Sequence, residues 1–516
     1  MESLGQRYAH KVKSVDDLTQ TLGRFPRSQK VVMCHGTFDV VHPGHLRHLL
    51  YAKSRGAILV ASLTADVHIQ KGEMRPHVPQ DLRAANLAAY EFVDYVVIDE
   101  NSTPLENLRR LKPDIFVKGF EYTSGEMNPK TREEHEVVTS YGGEMIFSPG
   151  DFVLSSTKLI AMKPPNLRHE KLLSLMERNK ITFSDLKAAI AKVQGTRVSV
   201  LGDTIIDSYT RCSMIGGQTK TPTISVLFER VDHFVGGAGI VAKHLVAAGS
   251  HVTLHTLLGS DELGDFARRD LETAGVNVHA ITDSSRPTTD KNAIVVDAYR
   301  LLKVDRLDNR PIGEDLIGHF SDAIAKVPAE IQVFSDFRHG IFHRGSIPRF
   351  SQAIPTGRFR VADSQVASRW GNICDFQSFD LITPNEREAR FSLGDQDSNV
   401  RSLASKLYEA SLCKVLMLKL GERGMMTYTK PSPTDLSGWF HLDAFTEQPV
   451  DRVGAGDALL AYSTLVLKVT GSAVMAAILG SLAAACECEH DGNIPIRAEE
   501  VLARIDRVEK EVNFTA

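Results

Sequence analysis

Short apolar runs alternate with helical patterns along most of the chain, and this alternation restricts the fold more than any other feature. In the first part, the runs at 31–34, 57–63, 95–99 and 114–118 are separated by segments long enough for helices. Strands that alternate with helices form parallel sheets with right-handed crossovers. A second pattern of the same kind begins near Ile181 and continues to about residue 510. The sequence therefore predicts an α/β protein with two open parallel-sheet domains.

The change between the two patterns lies near Lys163, where the sequence Lys-Pro-Pro-Asn ends the first one. The charged segment that follows has the composition of an exposed connecting helix. We expect an N-terminal extension at 1–26, a first domain at 27–163, a linker at 164–180 and a second domain at 181–516. No internal repeat and no low-complexity tract is evident.

Composition narrows the class of protein. Lys and Arg number 60 against 64 Asp and Glu, which gives a net charge of −4, so we expect no nucleic-acid partner. Six cysteines without paired CxxC motifs indicate neither a disulfide framework nor a zinc site, and reduced thiols predict a cytoplasmic protein. The N-terminus has no apolar signal-peptide region. The uncharged stretch at 469–486 contains Thr-Gly-Ser, which favours a buried helix over a membrane span, so we expect no membrane partner.

The segment at 33–50, MCHGTFDVVHPGHLRHLL, places a strand, a turn and a helix in succession. Pro43 suits the first helical position, and His42 and His45 can share a face at that helix start. Backbone N–H groups and the positive end of the helix dipole point the same way. Gly44 lets a ligand approach the backbone closely. The pattern predicts a polyphosphate pocket in which two imidazoles donate hydrogen bonds as charge develops.

This string resembles the HxGH signature of the nucleotidyltransferase superfamily, and further segments resemble that family in the same order. Lys71 lies in IQKGEMRP, Lys118 ends a predicted strand in FVKGFEY, and LSSTKLI at 154–160 is similar to a motif that contacts triphosphate. The resemblance implies a cytidylyltransferase-like domain that releases pyrophosphate without a covalent enzyme intermediate, with His42, His45 and Lys118 as catalytic residues. The residues implied to bind the nucleotide are Gly36, Thr37, Phe38, Gly44, Lys71, Ser156 and Thr157.

A second glycine-rich turn precedes a helix in VDRVGAGDALL at 450–460. Gly454, Ala455 and Gly456 can direct backbone N–H groups at a phosphate and so form an anion hole at the helix N-terminus. Asp457 would lie beside that phosphate, where its carboxylate can take the proton from an attacking hydroxyl. A capped Gly-rich turn explains this string equally well by itself, so the interpretation depends on the rest of the domain.

Nearly the whole of 181–510 resembles the ribokinase-like carbohydrate kinases. The segments that carry the resemblance, besides the GAGD turn, are GDTIID at 202–207, FVGGAG at 234–239, SDFRHG at 335–340, TPNEREA at 383–389 and LKLGERGM at 418–425. The resemblance implies an ATP-dependent kinase with Asp457 as the base and with Mg²⁺ held through water by Asn385 and Glu388. The implied sugar-binding residues are Asp203, Asp207, Gly236 and Gly237, and the implied nucleotide-binding residues are Gly421, Gly454, Ala455 and Gly456.

Three positions depart from the kinase pattern. Ile240 stands where the family often has Asn, Val453 stands where Thr often precedes GAGD, and Asp-Ser-Gln at 363–365 replaces an Asp-Pro-Lys-like string. The first change removes an amide that could bind a sugar hydroxyl. The departures therefore bear on the identity of the substrate more than on phosphoryl transfer.

The two halves together resemble the bacterial bifunctional heptose-7-phosphate kinase/heptose-1-phosphate adenylyltransferases, in reversed domain order. The resemblance implies a sugar-phosphate kinase and sugar-1-phosphate nucleotidyltransferase that makes an ADP-heptose-type sugar with ATP and Mg²⁺. Two alternatives stay open: a CTP-dependent enzyme that forms a CDP-linked sugar or alcohol, and a kinase-like domain that only binds sugar or nucleotide. TISVLF at 223–228 is similar to a lid strand, which implies a homodimer.

Overall fold

The computed structural model describes residues 7–69, 75–119, 129–148, 168–217, 224–297, 299–365, 372–430, 438–446, 450–490 and 492–515. The chain forms two compact units, residues 1–178 and 179–514. Both units are α/β structures, as the sequence predicts. The predicted connecting helix is present at Arg168–Arg178 and belongs to the first unit. The domain bounds expected from the sequence stay a prediction.

The first unit alternates strands and helices throughout. Its elements in chain order are α1 (Val15–Leu22), β1 (Val31–Gly36), α2 (Pro43–Lys53), β2 (Ile58–Thr64), α3 (Gln80–Ala88), β3 (Tyr95–Asp99), α4 (Leu105–Leu111), β4 (Ile115–Lys118), α5 (Pro129–Ser140), β5 (Glu144–Phe147) and α6 (Arg168–Arg178).

All neighbouring strands of this unit are parallel, in the order β3-β2-β1-β4-β5. Successive residues of β1 pack on opposite faces of the sheet: Val32 and Cys34 belong to one apolar cluster, and Val31 and Met33 belong to another. Because β1 is buried on both faces, it reads as a continuous apolar run. The order reverses beside β1, and open α/β sheets bind ligands at such a point, beyond the carboxyl ends of the strands.

The second unit has more strands and a second sheet. Its elements in chain order are α7 (Phe183–Lys192), β6 (Arg197–Gly202), β7 (Thr204–Gly217), β8 (Ile224–Gly237), α8 (Ala238–Ala247), β9 (His251–Leu258), α9 (Glu262–Thr273), β10 (Asn277–Thr282), β11 (Thr289–Val296), β12 (Tyr299–Arg306), α10 (Glu314–Lys326), β13 (Ile331–Asp336), α11 (Ser346–Ala353), β14 (Phe359–Ser364), β15 (Leu381–Ile382), α12 (Glu386–Leu393), α13 (Val400–Ser411), β16 (Val415–Lys419), β17 (Met425–Tyr428), β18 (Trp439–Leu442), α14 (Ala455–Thr470), α15 (Ala473–Glu487) and α16 (Ala498–Thr515).

The larger sheet has the order β10-β9-β6-β13-β14-β15-β16-β17-β18. It is parallel from β10 to β16, and only its last two strands, β17 and β18, are antiparallel to their neighbours. The smaller sheet has the order β12-β11-β7-β8 and mixes parallel and antiparallel pairs. The accessory strand predicted at 223–228 is the first part of the much longer β8.

Aromatic packing and two apolar helices fill the core of this unit. Phe334 of β13 lies 5.5 Å from the ring centroid of Phe342 and 5.7 Å from that of Phe379. The uncharged stretch at 469–486, expected to be a buried helix, forms the end of α14, a turn at 471–472 and most of α15, which is buried along most of its length and packs against α14. Among the described helices, none is both long and apolar enough to span a membrane.

Candidate functional site

The glycine-rich turn of the second unit leads directly into α14. Gly454 is the N-cap with φ at +86°, and a Cβ placed there would lie 2.5 Å from Asn493 Oδ1 and 2.6 Å from Glu487 Oε1. Both the backbone angle and the space therefore require glycine at this position. The first amides of α14 have no partner within the helix, and the helix dipole is positive at this end. The turn at 454–456 therefore has the geometry of an anion hole, the name used for it below, and phosphate binding there stays a prediction.

This anion hole opens into a cavity of about 890 Å³. The cavity brings together most of the residues predicted for the kinase half from segments far apart in the sequence. The predicted residues that line it are Asp207, Gly237, Asn385, Glu388, Gly421, Gly454, Ala455, Gly456 and Asp457. A cavity of this size, with charged groups converging on it, is typical of a small-molecule site.

A buried lysine that the sequence analysis did not single out lies among the acidic residues of this cavity. Lys419, the last residue of β16, has its Nζ 3.1 Å from Asp363 Oδ1. A Cβ on Gly456 would lie 3.4 Å from the same Nζ, so the ammonium is adjacent to the anion hole. Burial alone would lower the pKa of Lys419, but the charges of Asp363, Glu388 and Asp457 raise it, so the ammonium stays protonated.

The acidic groups around Lys419 have raised pKa values. Burial and, to a lesser extent, the charge of Asp363 raise the pKa of Asp457 to about 8, and the charge of Lys419 opposes the shift. Burial likewise raises the pKa of Glu388 to about 7. A carboxyl whose pKa lies near neutral pH can exchange a proton during a reaction, which suits Asp457 to the role of a general base.

Asp207 is held by two features of its surroundings. Its Oδ2 accepts a hydrogen bond of 2.6 Å from Asn493 Nδ2. Gly236 lies against the same oxygen, because a Cβ there would be only 2.1 Å from Oδ2. Burial raises the pKa of Asp207, and the charges of Lys291 and Lys303 oppose that shift. Gly236 therefore leaves the space that Asp207 occupies, although it is not itself among the residues that line the cavity.

Asp203, which was expected to bind sugar, makes hydrogen bonds within the protein instead. Its carboxylate is buried and accepts hydrogen bonds from the backbone N–H groups of Phe337 at 3.0 Å and His339 at 3.2 Å. Burial raises its pKa to about 6. Asp203 thus anchors the loop after β13, and it is not among the cavity-lining residues. The structure places Asp207 at the cavity but keeps Asp203 behind it.

Asn385 and Glu388 form a reciprocal cap at the start of α12. Asn385 Oδ1 accepts from the Glu388 N–H at 2.9 Å, and Glu388 Oε2 accepts from the Asn385 N–H at 2.7 Å. Asn385 Nδ2 also donates to Glu388 Oε1 at 2.6 Å. In the part of the chain that the structure describes, no group of three or more His, Cys, Asp or Glu side chains could hold a metal ion. The pair presents three oxygens, each of which already accepts one hydrogen bond within the cap, so they could reach a hydrated cation only through its waters, and this role stays a prediction.

The histidines of the first unit lie together at the start of α2. The ring centroids of His42 and His45 are 4.0 Å apart. His42 is the N-cap, and its Nδ1 accepts from the Gly44 N–H at 3.1 Å, so the proton of the neutral ring is on Nε2. Burial lowers the pKa of His42. Burial also lowers the pKa of His45 to about 4, with the charges of His42 and His48 adding to the effect. Both rings are neutral near pH 7.

Glycine and aromatic residues shape the space around these rings. A Cβ on Gly44 would lie 2.9 Å from the His42 ring, and one on Gly36 would lie 3.3 Å from the Phe38 ring. Phe38 has φ at +48° and packs edge-on against His45, with ring centroids 5.3 Å apart. The predicted residues at 36–45 therefore form one contiguous group, as the strand-turn-helix pattern indicates.

Of the remaining residues predicted for the first unit, only Lys118 lies in the part of the chain that the structure describes. Lys118, at the end of β4, pairs with the buried carboxylate of Glu134, and its Nζ lies 3.4 Å from Thr131 Oγ1. Burial raises the pKa of Glu134. Lys71, Ser156 and Thr157 lie outside the described residues.

Arg83 is an important residue of the first unit that the sequence analysis missed. It is fully buried, donates to the carbonyl of Thr37 and, at 2.9 Å, to that of Thr64, and pairs with Asp66 at 2.6 Å. It thereby connects the turn after β1 to the end of β2. One feature of the sequence could have indicated this residue. Arg83 lies four residues before Leu87, on the apolar face of α3, where an arginine must be buried with hydrogen-bond partners.

Comparison with known proteins assigns the second unit to a family. The sequence model of the pfkB family carbohydrate kinases matches residues 196–499, which is more than half of the chain. The chain belongs to the pfkB carbohydrate kinase family. Solved structures of phosphofructokinase-2 from Escherichia coli, one in complex with potassium and one with substrates and products, superpose with a TM-score of 0.51. Each of these structures is 17% identical in sequence to this chain, and the match covers 61% of this chain and 99% of the phosphofructokinase-2 chain. That similarity confirms the ribokinase-like fold of this pfkB family member.

The first unit of this pfkB family member is similar to a different group of proteins. A model described as cytidylyltransferase-like matches residues 33–162. The bifunctional protein HldE of Campylobacter concisus is 41% identical over 127 residues, 24% of this chain and 27% of the relative. The bifunctional protein HldE of Desulfatibacillum aliphaticivorans is 26% identical over 316 residues, 60% of this chain and 63% of the relative, so this match is longer than the first unit and includes part of the second. The first of these matches spans about a quarter of the relative's length, and the second spans less than two thirds.

Proposed function

We propose that the chain is a bifunctional transferase in which the second unit is a sugar-phosphate kinase. The observation that carries this proposal is the cavity in which Asp457, the anion hole and Asp207 are brought together. ATP is the proposed phosphoryl donor, with its γ-phosphate at the amides of 454–456. Asp207, oriented by Asn493, would accept hydrogen bonds from sugar hydroxyls. Asp457 would take the proton from the attacking hydroxyl, and Lys419 would stabilise charge on the transferred phosphoryl group.

Mg²⁺ is the proposed cofactor of this half. Asn385 and Glu388 line the same cavity and would hold it through water. When bound, it supplies charge neutralisation on the nucleotide phosphates. The chain's own residues would perform the other steps. The anion hole would bind the γ-phosphate, Asp207 would orient the sugar, and Asp457 would accept the proton of the attacking hydroxyl.

We infer that the first unit joins a sugar 1-phosphate to a nucleotide. The support is the pair of neutral imidazoles 4.0 Å apart at the N-terminus of α2. A neutral His42 with its proton on Nε2 can donate to a phosphate oxygen without burying a charge of its own. Positioning and hydrogen-bond donation to the oxygens of the pentavalent phosphoryl group are then the proposed catalytic contributions. Lys71, Ser156 and Thr157 stay proposed nucleotide contacts, and Lys118 a proposed catalytic residue, on the resemblance alone.

An ADP-heptose-type sugar is the proposed product, on the basis of the similarity to bifunctional HldE proteins over parts of both halves. The cytidylyltransferase-like match of residues 33–162 favours a second candidate, in which CTP is used and a CDP-linked sugar or alcohol forms. The two candidates differ in the nucleotide that the first unit uses, ATP or CTP. We further propose a homodimer that pairs through the smaller sheet of the second unit. That sheet exposes the large apolar side chains Met214, Ile215, Ile224, Leu227, Phe228, Tyr299, Leu302 and Val304.

A product screen tests the proposal. The purified chain is given heptose and hexose phosphates with ATP or CTP separately, and products are identified by mass spectrometry. Asp457→Asn should remove sugar phosphorylation and leave nucleotidyl transfer intact, while His45→Ala should do the reverse. Wild-type protein without any sugar-dependent product would contradict the proposal. Sugar binding without ADP release would instead identify the second unit as a binding module.

A further inference from the structure

A bulge in the smaller sheet turns Arg300 of β12 toward the face that carries Asp207. The pairing of β11 with β12 shifts register by one residue just before Val295, which pairs with Arg300. Such a bulge reverses the alternation of side chains between the two faces of a sheet. Val295 packs in one apolar cluster with Tyr209, and Tyr209 lies two residues after Asp207 on β7. Paired residues, and residues two apart on one strand, share a face, so Arg300 and Asp207 lie on the same side.

Arg300 pairs with a carboxylate that belongs to the segment leading into the anion hole. Its Nη2 lies 2.8 Å from Asp451 Oδ2. Its guanidinium also lies over the ring of Tyr209, 5.4 Å from the centroid, and Tyr209 Oη donates to the same Oδ2 at 3.4 Å. The Asp451 side chain is only 10% exposed, although that of Arg300 is 42% exposed. Solvent therefore screens this contact less than it screens a pair of two exposed side chains.

The other oxygen of Asp451 holds the backbone just before the anion hole. Oδ1 accepts hydrogen bonds from the N–H groups of Arg452 at 2.7 Å and Val453 at 3.2 Å. The next residue is Gly454, the N-cap of α14. One carboxylate thus connects the smaller sheet, through Oδ2, to the turn that begins the anion hole, through Oδ1. An anion hole is effective only when its amides are aimed at one point in advance, so a group that fixes this turn also fixes their aim.

We propose that Arg300 is a positioning residue for phosphoryl transfer, which acts on the anion hole through Asp451. The smaller sheet also carries Asp207, so this contact ties the sheet that would hold the sugar to the turn that would hold the γ-phosphate. The two reacting groups then meet in a fixed geometry, which is what makes transfer fast. Arg300 and Asp451 are not among the residues that line the cavity, so their loss should affect the transfer rate more than sugar binding. This inference rests on the proposed kinase function and adds a positioning residue to it.

The first test measures sugar-dependent ADP release by the full chain, with the heptose and hexose phosphates of the product screen. Arg300→Met removes the charge and keeps an unbranched side chain. It should lower kcat about tenfold and raise the KM for ATP about threefold, with the KM for the sugar phosphate unchanged. Arg300→Lys keeps the charge and should recover most of the lost rate. Arg306→Met is the matched control, because Arg306 is an exposed arginine of the same strand whose partner is Asp261, and its kinetics should equal those of wild type.

A double variant tests whether the two residues act as one unit. Asp451→Asn removes the charge on the other side of the contact. Arg300→Met, Asp451→Asn and the double variant should all lose kcat to the same extent, within about threefold, because the second change removes an interaction that is already lost. Losses that multiply in the double variant would overturn the proposal. So would an unchanged kcat in Arg300→Met, or a KM for the sugar phosphate that rises as much as kcat falls.

Hydrogen–deuterium exchange tests the positioning of the turn without any substrate. Arg300 is exposed, so the variant is expected to fold. Peptides that cover 450–458 should exchange about threefold faster in Arg300→Met than in wild type, while peptides of α10 should exchange at the same rate in both. Absence of sugar-dependent ADP release from wild-type protein would count against the kinase function instead. The exchange measurement then decides on Arg300: faster exchange at 450–458 supports its positioning role, and unchanged exchange overturns it.

Discussion

Lys419 Nζ lies 3.1 Å from Asp363 Oδ1 and next to Gly456, so one buried ammonium connects a carboxylate of β14 to the anion hole before α14. Asp363 is fixed in turn by Thr383 Oγ1, which donates to it at 3.0 Å. The lysine is surrounded by acidic groups that raise its pKa, so it remains a cation. A fixed cation beside an anion hole can stabilise charge that develops on a transferred phosphoryl group.

Replacing Lys419 by Met should therefore lower the kinase kcat by about 100-fold or more, which is the usual cost of losing one preorganised electrostatic group. The nucleotidyltransferase rate should not change, because that activity is assigned to the first unit. Lys414→Met is the matched control, since Lys414 lies just before β16 and is an exposed lysine paired with the buried Asp380. Steady-state kinetics of both activities check this. Equal loss in both variants, or no loss in Lys419→Met, would contradict the role of Lys419.

The kinase rate should depend on pH through the carboxyl group of Asp457. Burial raises its pKa to about 8, and the proposed base works only when deprotonated, so kcat/KM should rise with pH and level off above about pH 8. Lys419 opposes this shift, so the residual activity of Lys419→Met should level off at a higher pH than that of wild type. Glu388 titrates nearby, and the apparent pKa therefore belongs to the group of carboxyls. A profile that falls between about pH 6 and pH 8 would show that Asp457 is not the base.

Sequence reasoning succeeded where the site is local in the chain. His42 and His45 are three residues apart at the start of one helix, and residues 454–457 form a single turn at the start of another. A short sequence motif is therefore enough to predict how these residues are arranged. Lys419 is different, because it meets Asp363 only through the strand order of the nine-stranded sheet. No spacing in the sequence contains that contact.

Two other features show the same limit. Asp203 and Asp207 look equivalent in GDTIID, yet the chain passes from β6 into β7 at Asp203, whose carboxylate binds the loop after β13. Asn493 lies 286 residues from its partner Asp207. In the sequence, only the short run at 223–228 indicated the smaller sheet. The sequence therefore could not predict that this sheet places Lys291 and Lys303 at the cavity.

Gly236→Ala should weaken sugar binding more than it weakens ATP binding. A Cβ at this position would lie 2.1 Å from Asp207 Oδ2 and 3.0 Å from Asn493 Nδ2, so Asp207 must move from its present hydrogen bond. We expect the KM for the sugar acceptor to rise about tenfold or more with the KM for ATP unchanged. Gly318→Ala is the control, because nothing lies within 4 Å of its Cβ position in α10, and it should increase stability by about 0.5–1 kcal/mol. Equal effects on the two KM values would contradict the role of Gly236.

Glu487 should make the stability of the protein depend on pH. It is only 1% exposed, and burial raises its pKa to about 8 from an ordinary value of 4.5. The folded state therefore keeps a proton that the unfolded chain releases, so stability is greatest below pH 4.5 and is lost as pH rises through 8. Glu487→Gln removes this titration and leaves the other buried carboxyls in place. The Tm of the Gln variant minus that of wild type should thus increase from about pH 5 to about pH 8 and level off above that, as measured by thermal unfolding at constant ionic strength. A difference that stays constant over that range, or that decreases with pH, would show that Glu487 is ionised in the folded protein throughout.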